Sequence, residues 1–365
     1  MRPPLSLALR TLAYGVLALL TCEVAARVED AVRDGAPLLG AYSIDALFQQ
    51  GAYGREGKPG AHFAKWSMNS MGFRGPEPSK NPDKVLTYGA SETFGLYESA
   101  GAEYPRQLEQ VLNREHAGRF DVVNIALPGV RIGHTEYLEH AILALKPAWV
   151  VIYPSPANYI GVAEPYCGKP AAPAPAGSSR SAPTSRLAGK LERLWREQLP
   201  PSVRNAFNRA SIWWYERHGA TMGRVPDATI EAFHADVQCA AQTALRHGAR
   251  VVVVTHATEF GTSTPADPTL LTAWRRFYPE LRESGFLDLE SRANASLQDI
   301  GKQDGVVLVD AAHELRPGTA NFADPVHFTD AGALAMARMI AAAIDAAPES
   351  TPRCVMRKTR VPRPL

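Results

Sequence analysis

Three residues of this 365-residue chain have the types and settings needed to activate a hydroxyl. Ser91 closes the run KVLTYGAS, pinned between Gly89 and Gly95. A serine at a strand-to-helix turn presents its hydroxyl at the carboxyl edge of a sheet, beside helix N–H groups that favour negative charge. Gly89 permits a sharp turn there. Such a seat suits a nucleophile whose attack creates an oxyanion. An N-cap serine with no chemistry has the same local pattern. Asp324 and His327, in FADPVHFTDAG, are three residues apart just before a helix, so a turn can point both side chains the same way. An aspartate accepting from one imidazole nitrogen fixes the tautomer and leaves the other nitrogen to take a serine proton. The plain alternative is an aspartate cap beside a surface histidine. His134, His256 and His313 lie near strand ends or turns without a visible partner and read as satisfied or exposed. The chain has neither a lysine-bearing phosphate loop nor a helical histidine pair. No cofactor and no metal are therefore expected.

Alternating elements must position these residues. KVLTYG precedes a helical pattern in YPRQLEQVLNREH, DVVNIA precedes TEYLEHAILAL, and WVVIYP ends near Pro154. After an interruption come the helical DATIEAFHADVQCAAQTALRHG, the strand ARVVVVTH, a last helix–strand cycle through SRANASLQDIGKQDG and VVLVD, and the closing helix DAGALAMARMIAAAID. The strand runs are continuously apolar, as in a parallel sheet buried on both faces. Five of them with intervening helices predict a doubly wound three-layer α/β/α domain over 81–348. Ligands of such sheets bind beyond the carboxyl ends of the strands, which directs attention to Ser91, Gly129 and Asn158. Residues 164–225 read as an insertion, first rich in Pro, Ala and Ser, then helical, with Leu194, Trp195, Trp213 and Trp214 available for packing. It is either a lid or a helical unit packed away from any site. Trp213, Trp214 and Tyr215 read as core packing, with contact to a sugar ring as the alternative. Residues 28–80 form an N-terminal extension, and 349–365 a basic, proline-bearing tail expected to be disordered.

A formal net charge of +2 leaves no electrostatic footprint for nucleic acid. In segment 1–27, Arg2 and Arg10 precede an apolar run from Thr11 to Cys22, and Leu5–Ala26 approaches the ~20 residues a membrane span needs. The leading positive flank predicts a single-pass inner-membrane anchor with the rest of the chain outside the cytoplasm, periplasmic or extracellular. A signal peptide cleaved near Val24-Ala25-Ala26, giving a secreted protein, is the alternative. Of the four cysteines, Cys167 and Cys239 are the favoured disulfide pair in that oxidising space, and no CxxC motif exists.

Four blocks, YGASETFG, NIALPGVRIG, YPSPANY and DPVHFTDAG, occur in the order of the sequence blocks of the SGNH (GDSL-type) hydrolases, which the chain resembles. NSMGFRGPE, 69–77, resembles the lead-in of membrane-anchored bacterial members. The resemblance covers about 69–158 and 304–343. It implies a flavodoxin-like sheet and a serine esterase, with Ser91 as nucleophile, His327 as general base and Asp324 orienting it. It also implies oxyanion donors at the Ser91 and Gly129 N–H groups and the Asn158 amide. Ala90 stands where the family has the aspartate of Gly-Asp-Ser, and Tyr159 where an aspartate often follows the oxyanion asparagine. The implied substrate is a small-molecule or glycan acyl ester, short-chain and on envelope glycans by compartment. An O-acyltransferase using the same site and a non-catalytic envelope binding protein are the rivals.

Overall fold

The structure is a computed structural model describing residues 4–40, 42–81, 83–116, 118–169, 185–197, 201–262 and 269–348. Most of the proline-rich part of the expected insertion and the basic tail lie outside the described residues. Helix α1, Pro4–Asp34, is continuous over 31 residues. Its stretch Leu9–Asp34 is long and apolar enough to cross a membrane, and almost none of it is buried. Two antiparallel hairpins follow within the extension: β1 (Phe48–Gly51) with β2 (Gly54–Gly57), and β3 (His62–Phe63) with β4 (Trp66–Ser67).

The main body then alternates. Strand β5 (Asp83–Gly89) leads through α2 (Ser91–Phe94) and α3 (Tyr104–Glu115) to β6 (Phe120–Asn124), and α4 (Thr135–Leu145) leads to β7 (Trp149–Tyr153). Three helices, α5 (Arg186–Glu197), α6 (Pro201–His218) and α7 (Asp227–Arg246), precede β8 (Arg250–Val254). Helices α8 (Thr269–Arg275) and α9 (Glu283–Ile300) precede β9 (Val306–Val309), and α10 (Ala311–Glu314) and α11 (Asp330–Ala346) close the chain. The expected five-stranded parallel sheet forms, in the order β6-β5-β7-β8-β9. This is the flavodoxin-type order, whose binding crevice opens where the strand order reverses, at the carboxyl ends of β5 and β7.

The layers follow from strand alternation. Leu86, Val123, Val150 and Val251 face one side with α4, α7 and α9, through Leu138, Phe233 and Leu297. Their chain neighbours Val85, Val122, Val151 and Val252 face the other side with α3 and α11, through Leu108, Leu112, Met336 and Ile340. Both faces are dry, which is why the strand sequences are continuously apolar; each such side chain contributes roughly 1.5–3 kcal/mol.

Two features of the insertion differ from expectation or go beyond it. Trp213 and Trp214 are 53% and 59% exposed, so the core-packing reading fails for them. Helix α6 turns Asn208 and Ile212 inward instead, and the adjacent positions point away at 100° per residue. Helix α5 is held by α1: Glu23 accepts from the backbone N–H groups of Arg186 and Leu187, at 2.9 Å each, and Asp30 takes Arg186 at 3.3 Å and Lys190 at 2.7 Å.

Cys167 and Cys239 are joined in a disulfide, Cα–Cα 6.1 Å, across a sequence separation of 72 residues. Closing a loop of that size removes about 4 kcal/mol of entropy from the unfolded chain. Cys239→Ser is expected to lower the thermal unfolding midpoint by several degrees in oxidising buffer and to change nothing under reductant. Equal midpoints without reductant would show that the bond does not form.

Candidate active site

Ser91 opens α2 directly beyond β5 and is half-buried. Gly89 is needed there for space rather than for a left-handed backbone. A Cβ on it would lie 2.1 Å from Thr93 Oγ1 and 2.6 Å from the Tyr153 carbonyl oxygen. Ala90 is fully buried and makes no side-chain cap bond. The turn is braced from two directions. Asn124, at the end of β6, donates its amide to the Thr93 carbonyl at 2.8 Å, and its own carbonyl accepts the Arg74 N–H at 2.9 Å. Lys65 and Trp66 donate to the Leu96 and Gly95 carbonyls at 2.9 and 2.8 Å. The N-terminal extension therefore fixes the loop that follows Ser91.

The second half of the site is the loop before α11. His327 Nδ1 lies 2.9 and 2.8 Å from the two Asp324 carboxylate oxygens. Asp324 Oδ1 also accepts the backbone N–H groups of Val326 and His327, at 3.0 and 2.8 Å. Four short contacts thus lock the carboxylate, the ring and the loop together. Burial would raise the Asp324 pKa, but the charge and hydrogen bond of His327 outweigh it and hold the carboxyl below its usual range. Burial likewise opposes protonation of His327, yet Asp324 first, then Glu92 and Glu98, raise its pKa above the ordinary value. Its Nε2 is buried and has no hydrogen-bond partner among the described residues.

The two halves meet at one sheet edge. The Tyr97 ring packs on the His327 ring with centroids 4.9 Å apart, and the Ser99 N–H donates to Asp330 Oδ1 at 2.7 Å. The Ser91 hydroxyl is not bonded to His327; it donates to Glu92 Oε2 at 3.2 Å.

The loops after β6 and β7 complete the rim. Gly129 is exposed and left-handed at φ +73°, a backbone that favours glycine. Asn158 sits half-buried in a 3-10 turn, Pro156–Tyr159, and donates one amide hydrogen to the Val130 carbonyl at 3.1 Å. An amide has two such hydrogens, so one remains. The Ser91 N–H belongs to the first turn of α2, where no intrahelical acceptor exists. Ala157 and Val326, each beside a site residue, enter one apolar cluster with Phe260, Trp274 and Phe286, which ties the two loops together. Tyr159 points away from this rim: fully buried, it donates to Asp236 Oδ2 at 3.0 Å, while Asp236 Oδ1 accepts the Tyr166 and Cys167 N–H groups.

Sequence reasoning missed three buried carboxylates. Glu92, Glu98 and Glu290 are all buried. Glu98 Oε1 has no hydrogen-bond partner among the described residues, and burial pushes its pKa up to about 7. His256, just past β8, is fully buried between Glu290 and Glu92, so the strand-end rule that singled out Ser91 also marked this position. The other two histidines have ordinary partners: His134 packs on Tyr166 with centroids 4.0 Å apart, and His313 bonds Asp310 at 2.9 Å.

A doubly wound sheet with a serine on its first βα turn and an Asp–His pair on its last loop defines an α/β protein with a candidate nucleophile–base site. No protein-family model and no curated protein matches the chain. Among solved structures, the chain is similar to an acetyl xylan esterase at 13% identity, covering 72% of this chain and 99% of that one, with a TM-score of 0.42. It is also similar to an acetylxylan esterase from Geobacillus stearothermophilus, at 14% identity, 72% and 94% coverage and a TM-score of 0.42. A lipase/acylhydrolase from Enterococcus faecalis is similar at 16% identity, 72% and 95% coverage and a TM-score of 0.40. At such scores, function has to be read from the side chains themselves.

Proposed function

We propose that the chain is a serine esterase of the SGNH type, acting through an acyl-enzyme on short-chain acyl esters. The observation that carries this reading is the state of His327: one ring nitrogen is bonded to Asp324, and the other is buried and, among the described residues, unpartnered at the edge where Ser91 sits. A surface histidine beside an aspartate cap has no reason to keep a buried, empty acceptor there. In the reaction, the Ser91 hydroxyl leaves Glu92 and gives its proton to His327 Nε2 as Oγ attacks the ester carbonyl. The N–H groups of Ser91 and Gly129 and the free Asn158 hydrogen receive the oxyanion, and one such donor is worth about 3 kcal/mol. His327 then protonates the leaving alcohol and activates water, which frees Ser91.

The apolar α1 supports a membrane-anchored enzyme whose main body lies outside the cytoplasm, where acyl esters on envelope glycans are the natural substrate class. Cleavage after Ala26 would remove Glu23, which accepts the first N–H groups of α5. The retained anchor is thus the better reading.

The test is hydrolysis of a small activated acetyl ester together with labelling by a fluorophosphonate. A folded protein inert to both would make the domain a binding module. Acetyl transfer to an added glycan acceptor in preference to water would make it an acyltransferase. A pH profile follows from His327. The neutral ring is the active base, and its pKa is raised, so activity is expected to fall as pH drops through a midpoint above 6.5. An acid limb below 6.5 would contradict a raised pKa for that ring.

A further inference from the structure

Behind Ser91 lies a row of charged side chains to which the mechanism above gives no chemical role. Ser91 Oγ donates to Glu92 Oε2 at 3.2 Å. The other Glu92 oxygen lies 3.5 Å from His256 Nε2, an ion-pair distance too long for a well-formed hydrogen bond. His256 Nδ1 lies 2.8 Å from Glu290 Oε2. All three residues are at most 6% exposed. Burying two carboxylates and an imidazole is unfavourable, and an apolar trio of similar volume would hold the fold at least as well. The row ends on the one hydroxyl that the proposed chemistry needs.

We propose that Glu92 is a further catalytic group: with His256 and Glu290 it forms a buried carboxylate–imidazolium–carboxylate row that holds the resting Ser91 hydroxyl. The role assigned to Ser91 rests on the esterase reading, while the row itself does not. His256 is a positioning residue, because it reaches Ser91 only through Glu92. It faces Glu92 from α2 and Glu290 from α9, with the Tyr153 ring packed at 5.5 Å and Asn294 bonded to its backbone on both sides. Between two carboxylates it is an imidazolium. Burial alone would deprotonate it, but Glu290 and then Glu92 bring its pKa up to about 10. Glu92 in turn stays ionised at neutral pH because His256 outweighs its burial.

The His327 ring is bonded to Asp324 on its own loop, with Tyr97 over it, and the charges of Asp324, then of Glu92 and Glu98, favour its protonated form. In the resting site, then, the hydroxyl belongs to Glu92, while the Asp324–His327 pair lies on the loop that packs against the segment following Ser91. Attack breaks the Glu92 hydrogen bond, and the proton passes to His327, whose new positive charge Glu92 stabilises. Glu92 itself gains and loses no proton.

The experiment is a titration of the full chain in detergent micelles, with ¹⁵N-labelled histidine read by NMR. In the unaltered protein, the His256 ring is expected to carry both protons at pH 7; a neutral tautomer there would overturn the row without any variant. In Glu92→Gln, which keeps the shape and an acceptor oxygen, the His327 midpoint is expected to fall by about one pH unit. An unchanged midpoint in folded Glu92→Gln would overturn the role of Glu92. The acid limb of fluorophosphonate labelling should move with it. If both NMR results hold but Ser91 is never labelled, the row stands and the esterase reading fails.

Discussion

Ser91→Ala is expected to reduce hydrolysis of a small activated acetyl ester by about 10⁵-fold or more, and to abolish fluorophosphonate labelling. The size follows from the role: without Oγ there is no acyl-enzyme, and the oxyanion donors alone retain only a residual rate over water. Loss of structure does not explain such a drop, since Ser91 is half-buried and, among the described residues, its hydroxyl bonds only Glu92. Thermal midpoints of the two proteins should therefore be close. The measurement is kcat/KM with active-site titration on purified full-length protein. Equal rates in the two proteins would remove Ser91 from the mechanism and the esterase reading with it.

Asp324→Asn is expected to cost about 10⁴-fold in kcat, because the amide reverses the polarity facing His327 Nδ1. The aspartate accepts from Nδ1 and from two backbone N–H groups, all within 3.0 Å. In the variant the amide oxygen keeps the backbone contacts and the NH₂ group faces the ring. That orientation favours the tautomer with its proton on Nε2, which cannot accept from Ser91. Losing the carboxylate also removes the main influence that raises the His327 pKa, so the residual activity should have its acid limb at lower pH. A purely structural aspartate would instead lower the melting point and leave the limb in place. Activity within tenfold of the unaltered protein would show that His327 does not act as a base oriented from Nδ1.

How much of this was legible in advance depended on distance along the chain. The strands were readable because Val85 and Leu86, or Val150 and Val151, serve opposite faces that are both dry, and continuous apolar runs record that locally. Asp324 and His327 were readable because three residues on one turn suffice to pair them. The reason for Gly89 was half legible: its presence marked the turn, but the crowding by Thr93 and Tyr153 belongs to two elements meeting. The extension was not legible. Its contacts run from Arg74 to Asn124 and from Trp66 to Gly95, and short hairpins of two to four residues leave little periodicity. Trp213 and Trp214 misled for the opposite reason, since large aromatic rings signal burial by type while the helix face is set by what α8 offers.

Sequence by itself determined the layered α/β body and the local Asp–His pair, because apolar periodicity and short turns are encoded within a few residues. Only the tertiary structure decided that Ser91 rests on Glu92 and that His256 and Glu290 stand behind it. A buried charge is tolerable only beside its counter-charge, and those partners come from α2, the end of β8 and α9, which the chain brings together only when the sheet is complete.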